Sequence, residues 1–393
     1  MIQKKLSDAL SRRQFLKFAS LASVGLSLSK SALANQGKKS NLVYVGTYTS
    51  GKSEGIYLCQ IDMTSGALKH VGTTKGVVNP SFLALAPNGR HLYAVNEVDE
   101  FEGKKSGALS AFAVNQSTGE LQFLNQQASL GGSPCYVVVD QTDKFALVAN
   151  YVGGNIAVLP LRDDGGLGSA TDLKQDVGSS ANPQRQEGPH AHCVVLDPTN
   201  RHAYACDLGT DKIMIFQFDA RRGKLIPNQT PWVQLKAGAG PRHVTFYPNG
   251  NYLYAVNELD ATVSVFARDR ASGDLHEVQT VSSLPKDFAE SNTSADIHIS
   301  PNGRFLYCSN RGHDSIAAFA INSQDGKLTF IAHESTRGKT PRNFAIDPTG
   351  TFLLAANQKS DNVVTFRIDQ RSGRLSPTGH VAEVPSPVCL KFS

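Results

Sequence analysis

Leu253-Tyr254-Ala255-Val256-Asn257 is one copy of a strand that recurs along the chain. Further copies are Leu92-Tyr93-Ala94-Val95-Asn96, Ala146-Leu147-Val148-Ala149-Asn150, Ala203-Tyr204-Ala205-Cys206-Asp207, Leu306-Tyr307-Cys308-Ser309-Asn310 and Leu353-Leu354-Ala355-Ala356-Asn357. Val43-Tyr44-Val45-Gly46-Thr47 is a degraded first copy, and successive copies lie 49, 54, 57, 50, 53 and 47 residues apart. Most copies follow an apolar strand and a turn such as Pro87-Asn88-Gly89-Arg90. A period near fifty residues with four short strands per unit predicts a β-propeller. What recurs in every unit holds the fold. What occurs in one unit only is a candidate for chemistry.

Within each unit the inner strand A and the recurring strand B form a hairpin. Strand C shows apolar alternation, as in Ala261-Thr262-Val263-Ser264-Val265-Phe266. The turn from C to D repeats as Ser65-Gly66-Ala67-Leu68, Thr118-Gly119-Glu120-Leu121, Asp164-Gly165-Gly166-Leu167, Arg222-Gly223-Lys224-Leu225, Ser272-Gly273-Asp274-Leu275, Asp325-Gly326-Lys327-Leu328 and Ser372-Gly373-Arg374-Leu375. Its glycine supplies positive φ. The first unit lacks a strand A, and the chain ends in an orphan one, Pro385-Ser386-Pro387-Val388-Cys389-Leu390-Lys391-Phe392. The expected fold is therefore all-β: a seven-bladed β-propeller with four-stranded blades, closed by the C-terminal strand pairing with the N-terminal blade.

Residues 1–34 read as an address. Ser11-Arg12-Arg13-Gln14-Phe15-Leu16-Lys17 is a twin-arginine motif, followed by a mild apolar run and the small-x-small site Ala32-Leu33-Ala34. The run is too short to span a membrane. The expected organisation is a twin-arginine signal peptide over 1–34 and a propeller over 35–393. The implied partner during export is the twin-arginine translocase, and the implied compartment is the periplasm. The formal net charge of +5 resides in the first 34 residues, where six Lys and Arg face a single Asp. The remainder is near neutral, which argues against nucleic acid or an anionic membrane as partner. The six cysteines show no metal-type spacing, but Cys193 and Cys206 flank one turn almost symmetrically and could face each other across a hairpin. In an oxidising compartment that pair could be a disulfide.

The start of A and the end of B lie at one end of their antiparallel hairpin, so both converge on one mouth of the central channel. The first ring is Ser81, Cys135, His192, Arg242, Ala295, Arg342 and Val388. The second is Tyr48, Glu97, Tyr151, Leu208, Glu258, Arg311 and Gln358. His192, Arg242, Glu258, Arg311, Arg342 and Gln358 form an arc over four units. The opposite side offers mainly Ser81, Cys135, Tyr151 and Tyr48, with Glu97 as an outlier, and changes at Ser81 or Tyr151 are expected to matter little. Three guanidiniums in the arc suit a carboxylate or phosphate, and a Glu and a His add acid–base capacity. His190 and His192 share a strand face, but no suitable third ligand accompanies them beyond Glu258, so no metal is expected and no motif calls for a cofactor. His243 and Glu290 are expected beside the site, on the other strand face or a loop. The repeated Asn is expected to satisfy turn backbone.

Gly188-Pro189-His190-Ala191-His192, Gly240-Pro241-Arg242-His243, Asn257-Glu258, Ser294-Ala295-Asp296-Ile297-His298, Ser309-Asn310-Arg311-Gly312-His313 and Pro341-Arg342-Asn343 together resemble the seven-bladed propeller lactonases. That family includes bacterial propeller-type 6-phosphogluconolactonases and the 3-carboxy-cis,cis-muconate lactonizing enzyme. The resemblance implies hydrolysis of a small-molecule lactone at a site that falls, by motif, on His192, Arg242, Arg311 and Glu258. Joined to the ring positions, the expectation is His192, Arg242 and Glu258 as catalytic groups, with Arg311, Arg342, His190, Glu97 and Gln358 against substrate. Lactonizing isomerase chemistry, or ligand binding without catalysis on a periplasmic propeller, are the alternatives it leaves open.

Overall fold

The computed structural model describes residues 41–393, so the export motif of residues 1–34 lies outside the described residues. Seven four-stranded antiparallel sheets follow one another: blade 1 (residues 42–75 plus Pro387–Phe392), blade 2 (83–128), blade 3 (134–175), blade 4 (191–234), blade 5 (241–282), blade 6 (293–335) and blade 7 (341–383). A short ribbon, Glu100–Phe101 with Lys104–Lys105, and a 3-10 turn at Gln358–Ser360 are the additions. The inner strands touch their neighbours in an unbroken ring: Leu83–Leu85, Pro134–Val139, Ala191–Leu196, Pro241–Phe246, Thr293–Ile299, Pro341–Ile346, Pro387–Phe392 and back to Leu83–Leu85. The ring closes as the sequence implied, with Val43 opposite Phe392 and Val45 opposite Leu390.

The repeated residues form the mortar between blades. All seven C–D turn glycines have positive φ, between 62° and 83°. Each also abuts the first residue of strand B in the preceding blade. A Cβ on Gly273 would come within 2.5 Å of His202, and one on Gly373 within 2.4 Å of Phe305. Glycine is thus required there both for its conformation and for the close approach. The tyrosine of the recurring strand donates to the carbonyl of that same glycine. Tyr44 reaches Gly119 at 2.7 Å, Tyr93 reaches Gly165 at 2.9 Å and Tyr204 reaches Gly273 at 2.7 Å. Tyr254 to Gly326 and Tyr307 to Gly373, both 2.9 Å, continue the pattern. Leu147 and Leu354 take the place in the other two blades. The strand-end Asn side chains satisfy turn backbone: Asn150 donates to the carbonyl of Ser129 at 2.9 Å and Asn310 to that of Ser283 at 2.8 Å.

The first ring owes its direction to β-bulges. In blades 3, 4, 5 and 7 the inner pairing slips by one residue, and the extra residue is Cys135, His192, Arg242 and Arg342 respectively. A bulge leaves one residue unpaired and turns its side chain out of the alternating pattern. Cys193 and Cys206 are direct cross-strand partners. Both are buried free thiols, and burial followed by the neighbouring Cys193 pushes the Cys206 thiol well up.

Candidate active site

The arc assembles around Glu258, which follows the recurring strand of blade 5 and is 3% exposed. Its Oε2 lies 2.7 Å from Nη2 of Arg311 and 2.9 Å from Nε of Arg242. The Arg242 contact is an ion pair, and its buried Nε–H makes no directed hydrogen bond among the described residues. Arg311 is aimed by two backbone carbonyls, Nε donating to Thr293 at 3.2 Å and Nη2 to Ser294 at 3.1 Å. A third guanidinium completes the cluster. Arg185 Nη2 donates to Glu258 Oε1 at 2.6 Å and to the Tyr151 hydroxyl at 3.2 Å. Burial alone would raise the Glu258 carboxyl, but Arg311, Arg242 and Arg185 outweigh it and hold it far below the usual range.

His192 lies beside this cluster. Its ring meets Tyr151 edge-on with centroids 5.5 Å apart and His243 with centroids 5.2 Å apart. Its Nδ1 is 3.6 Å from Cys135 Sγ, while the thiol is also 3.4 Å from the His192 carbonyl. Burial, followed by Arg242, pushes the imidazole well below its usual range, so it is neutral at pH 7. His190 points away from His192. It stacks on Tyr151 at 4.4 Å, and its ring nitrogens face the Tyr151 carbonyl and Glu187. Among the described residues no group of three or more His, Cys, Asp or Glu is placed to hold a metal ion.

Arg242 is aimed from beneath. One of its terminal nitrogens, Nη1, donates to the Ala295 carbonyl at 2.5 Å and lies 3.2 Å from Nε2 of His243. His243 Nδ1 lies 2.8 Å from Asp296 Oδ1, and His298 Nε2 lies 2.9 Å from Asp296 Oδ2. Burial raises the Asp296 carboxyl, yet His298 and His243 hold it well below the usual range. Burial, followed by Arg242, drives His243 down to about 3. A carboxylate on Nδ1 fixes the neutral tautomer, leaving the Nε2 lone pair for the Arg242 N–H. One position deeper than the first ring, Phe82 and Tyr136 stack at 4.1 Å and meet the edge of His243. Asn343, buried beside them, donates to Asp296.

Across the mouth, Glu97 accepts from the Tyr48 hydroxyl at 2.9 Å and from Ser81. Arg342 lies over the Tyr48 ring, 5.5 Å from its centroid. Its guanidinium makes no hydrogen bond or ion pair to any described residue. Gln358 begins the 3-10 turn and is half-buried, with no side-chain hydrogen bond to the arc.

The structure thus brings together Glu258, Arg242, Arg311 and His192. Arg342 lies within electrostatic reach both of this cluster and of Tyr48 and Glu97, and His190 and Gln358 make no side-chain hydrogen bond to the arc. Two sequence expectations need correction. Tyr151 does not belong to a quiet side: it touches Arg185, His190 and His192, because blades 3 and 4 adjoin and the segment between them folds over the mouth. Cys135 likewise sits against His192. His243 lies directly beneath Arg242, whereas Glu290 is exposed on a loop. Arg185 escaped notice because it lies in non-repetitive sequence. Its one signal was the 57-residue spacing, the largest in the chain. A cleft of about 220 Å³ between blades 3 and 4, lined by Met214, Phe216, Pro227 and Trp232, uses none of the arc side chains.

Comparison with known proteins gives the family. The family model "Lactonase, 7-bladed beta-propeller" matches residues 42–392. The chain belongs to this lactonase family. It is 38% identical to a 6-phosphogluconolactonase of Bacillus subtilis over 89% of this chain and 97% of the relative. Among solved structures, a putative 6-phosphogluconolactonase from Bacteroides fragilis superposes with a TM-score of 0.85 at 36% identity, covering 91% of this chain and 99% of the other. A periplasmic gluconolactonase from Pseudomonas aeruginosa gives 0.84 at 34% identity, covering 89% and 98%. By family this lactonase is a carboxylic ester hydrolase, and its arc is the place where the propeller concentrates charge.

Proposed function

We propose that this lactonase hydrolyses a sugar-type lactone bearing an anionic group, and that it does so at the arc. The observation that carries the reading is an excess of guanidinium. Arg185, Arg242, Arg311 and Arg342 outnumber the carboxylates around them, Glu258, Glu97 and the Asp296 beneath Arg242, while His192 is neutral. Arg342 lacks any hydrogen-bonding partner among the described residues, and the buried Arg242 Nε–H makes an ion pair with Glu258 but no directed hydrogen bond. Such groups are satisfied when a ligand supplies oxygen acceptors.

In this reading Arg242 and Arg311 stabilise the oxyanion that forms when water attacks the lactone carbonyl. Neutral His192 takes a proton from that water. Glu258 orders the guanidiniums, and in the empty site it is a weak base because three of them surround it. An anionic substrate offsets that positive charge and raises the proton affinity of both His192 and Glu258, so basicity appears on binding. The names of the relatives favour a gluconolactone or its 6-phosphate.

The test is a panel of lactones, with and without phosphate or carboxylate, assayed on the purified protein. Turnover of at least one, with higher kcat/KM for the anionic member of a pair, is the expected result. Absence of turnover across the panel, or preference for neutral members, removes the reading.

Export through the twin-arginine pathway is part of the same proposal. Arg12→Lys combined with Arg13→Lys is expected to retain the protein, folded, in the cytoplasm. Cell fractionation decides: unchanged periplasmic recovery of the double variant defeats the export claim.

A further inference from the structure

We propose that Arg185 is a substrate-contacting residue that selects for the anionic group of the lactone, presented by an insertion found between blades 3 and 4; this rests on the hydrolase reading above. Residues 176–190 form the longest of the connections from the outer strand of one blade to the inner strand of the next. The segment is held in one shape. Gln186 is fully buried, donates to the Leu208 carbonyl at 2.9 Å and accepts from the Asn182 N–H at 3.0 Å. Ser180 donates to Asp211 at 2.5 Å. The turn therefore offers Arg185 to the mouth from a fixed backbone.

Neutralising Glu258 does not require Arg185. Arg242 and Arg311 already lie within 2.9 Å of its Oε2. A third guanidinium on one carboxylate is surplus to that pairing, and at a part-exposed position it is open to a ligand. Arg185 also has donors to spare. Among the described residues only its Nη2 is engaged, by Glu258 and Tyr151, and its Nε–H and Nη1 make no hydrogen bond. Its side chain is 36% exposed, against 5% for Glu258 and 2% for Arg242, so among the guanidiniums around Glu258 it is the one an entering anion meets first. A planar fork with free donors suits a phosphoryl or carboxylate group.

The experiment uses the full chain with Arg185→Gln and Arg185→Lys. It compares kcat/KM for 6-phosphogluconolactone and gluconolactone, and calorimetric binding of 6-phosphogluconate and gluconate. Loss of one charge-assisted contact is expected to lower the phosphorylated-to-neutral ratio by roughly 10- to 150-fold in Arg185→Gln. Arg185→Lys should restore part of it, since it keeps the charge but not the fork. Parallel losses on both lactones, an unchanged ratio, or a wild type with no preference for the phosphorylated member would each overturn the proposal. Two surviving cation partners on Glu258 should keep the variants folded, which circular dichroism checks. If the wild type binds 6-phosphogluconate yet opens no lactone, the hydrolase reading fails, and calorimetry alone then decides the anion contact: weaker binding in Arg185→Gln supports it and unchanged binding overturns it.

Discussion

Glu258→Gln is expected to destabilise the protein by roughly 3–5 kcal/mol, the usual cost of removing one partner from a buried ionic cluster. The substitution keeps the shape of the side chain but leaves Arg185, Arg242 and Arg311 around a neutral amide. The guanidiniums lose their common anchor, so kcat/KM should fall by on the order of 100-fold or more, as for loss of a preorganised oxyanion donor. The pH dependence carries a sign. The folded carboxyl is depressed below its unfolded value of about 4.3. Its contribution is therefore complete above that value and is lost as pH falls below it. Acid should destabilise the wild type more steeply than Glu258→Gln, and the two should converge at low pH. Added inorganic phosphate should stabilise the variant more than the wild type, because it replaces the missing negative charge. Equal melting temperatures of the two proteins at pH 7, without phosphate, would remove Glu258 as the anchor.

Deletion of residues 387–393 is expected to abolish the cooperative fold. The segment supplies the innermost strand of blade 1, pairing with Leu42–Thr47 and touching the inner strands of blades 2 and 7. Val388, Cys389 and Leu390 are 3%, 0% and 2% exposed. Burial of a large aliphatic side chain contributes about 1.5–3 kcal/mol. Two such residues, with the ladder hydrogen bonds, rival the roughly 5–15 kcal/mol that holds a typical domain together. The loss reaches the site as well. Asn343, which donates to Asp296, accepts the Leu390 N–H at 2.7 Å, so the support under Arg242 would loosen. Thermal unfolding followed by circular dichroism is the measurement. A truncated protein melting within a degree or two of the intact one would show that this strand does not close the ring.

The blades, their number and the way the ring closes were legible in the sequence because they depend on local rules repeated seven times. A glycine with positive φ, a turn and a period-two strand mean the same thing wherever they occur. The ring positions of His192, Arg242, Arg342, Glu258 and Arg311 followed from counting along each hairpin, since register within a hairpin is also local. Which of those side chains would touch was a tertiary matter. The meeting of Arg185 with Glu258, 73 residues apart, depends on how a non-repetitive segment folds over blades 3 and 4. The reach from His243 to Asp296, 53 residues apart, depends on how two blades pack. The same packing decides the chemistry of the groups. Glu258 in sequence is an ordinary carboxylate; surrounded by three guanidiniums it is held far below the usual carboxylate range. His192 in sequence titrates near neutrality; buried beside Arg242 it stays uncharged. Charge state depends on burial and on neighbours brought in from other blades, and neither is written in a local pattern.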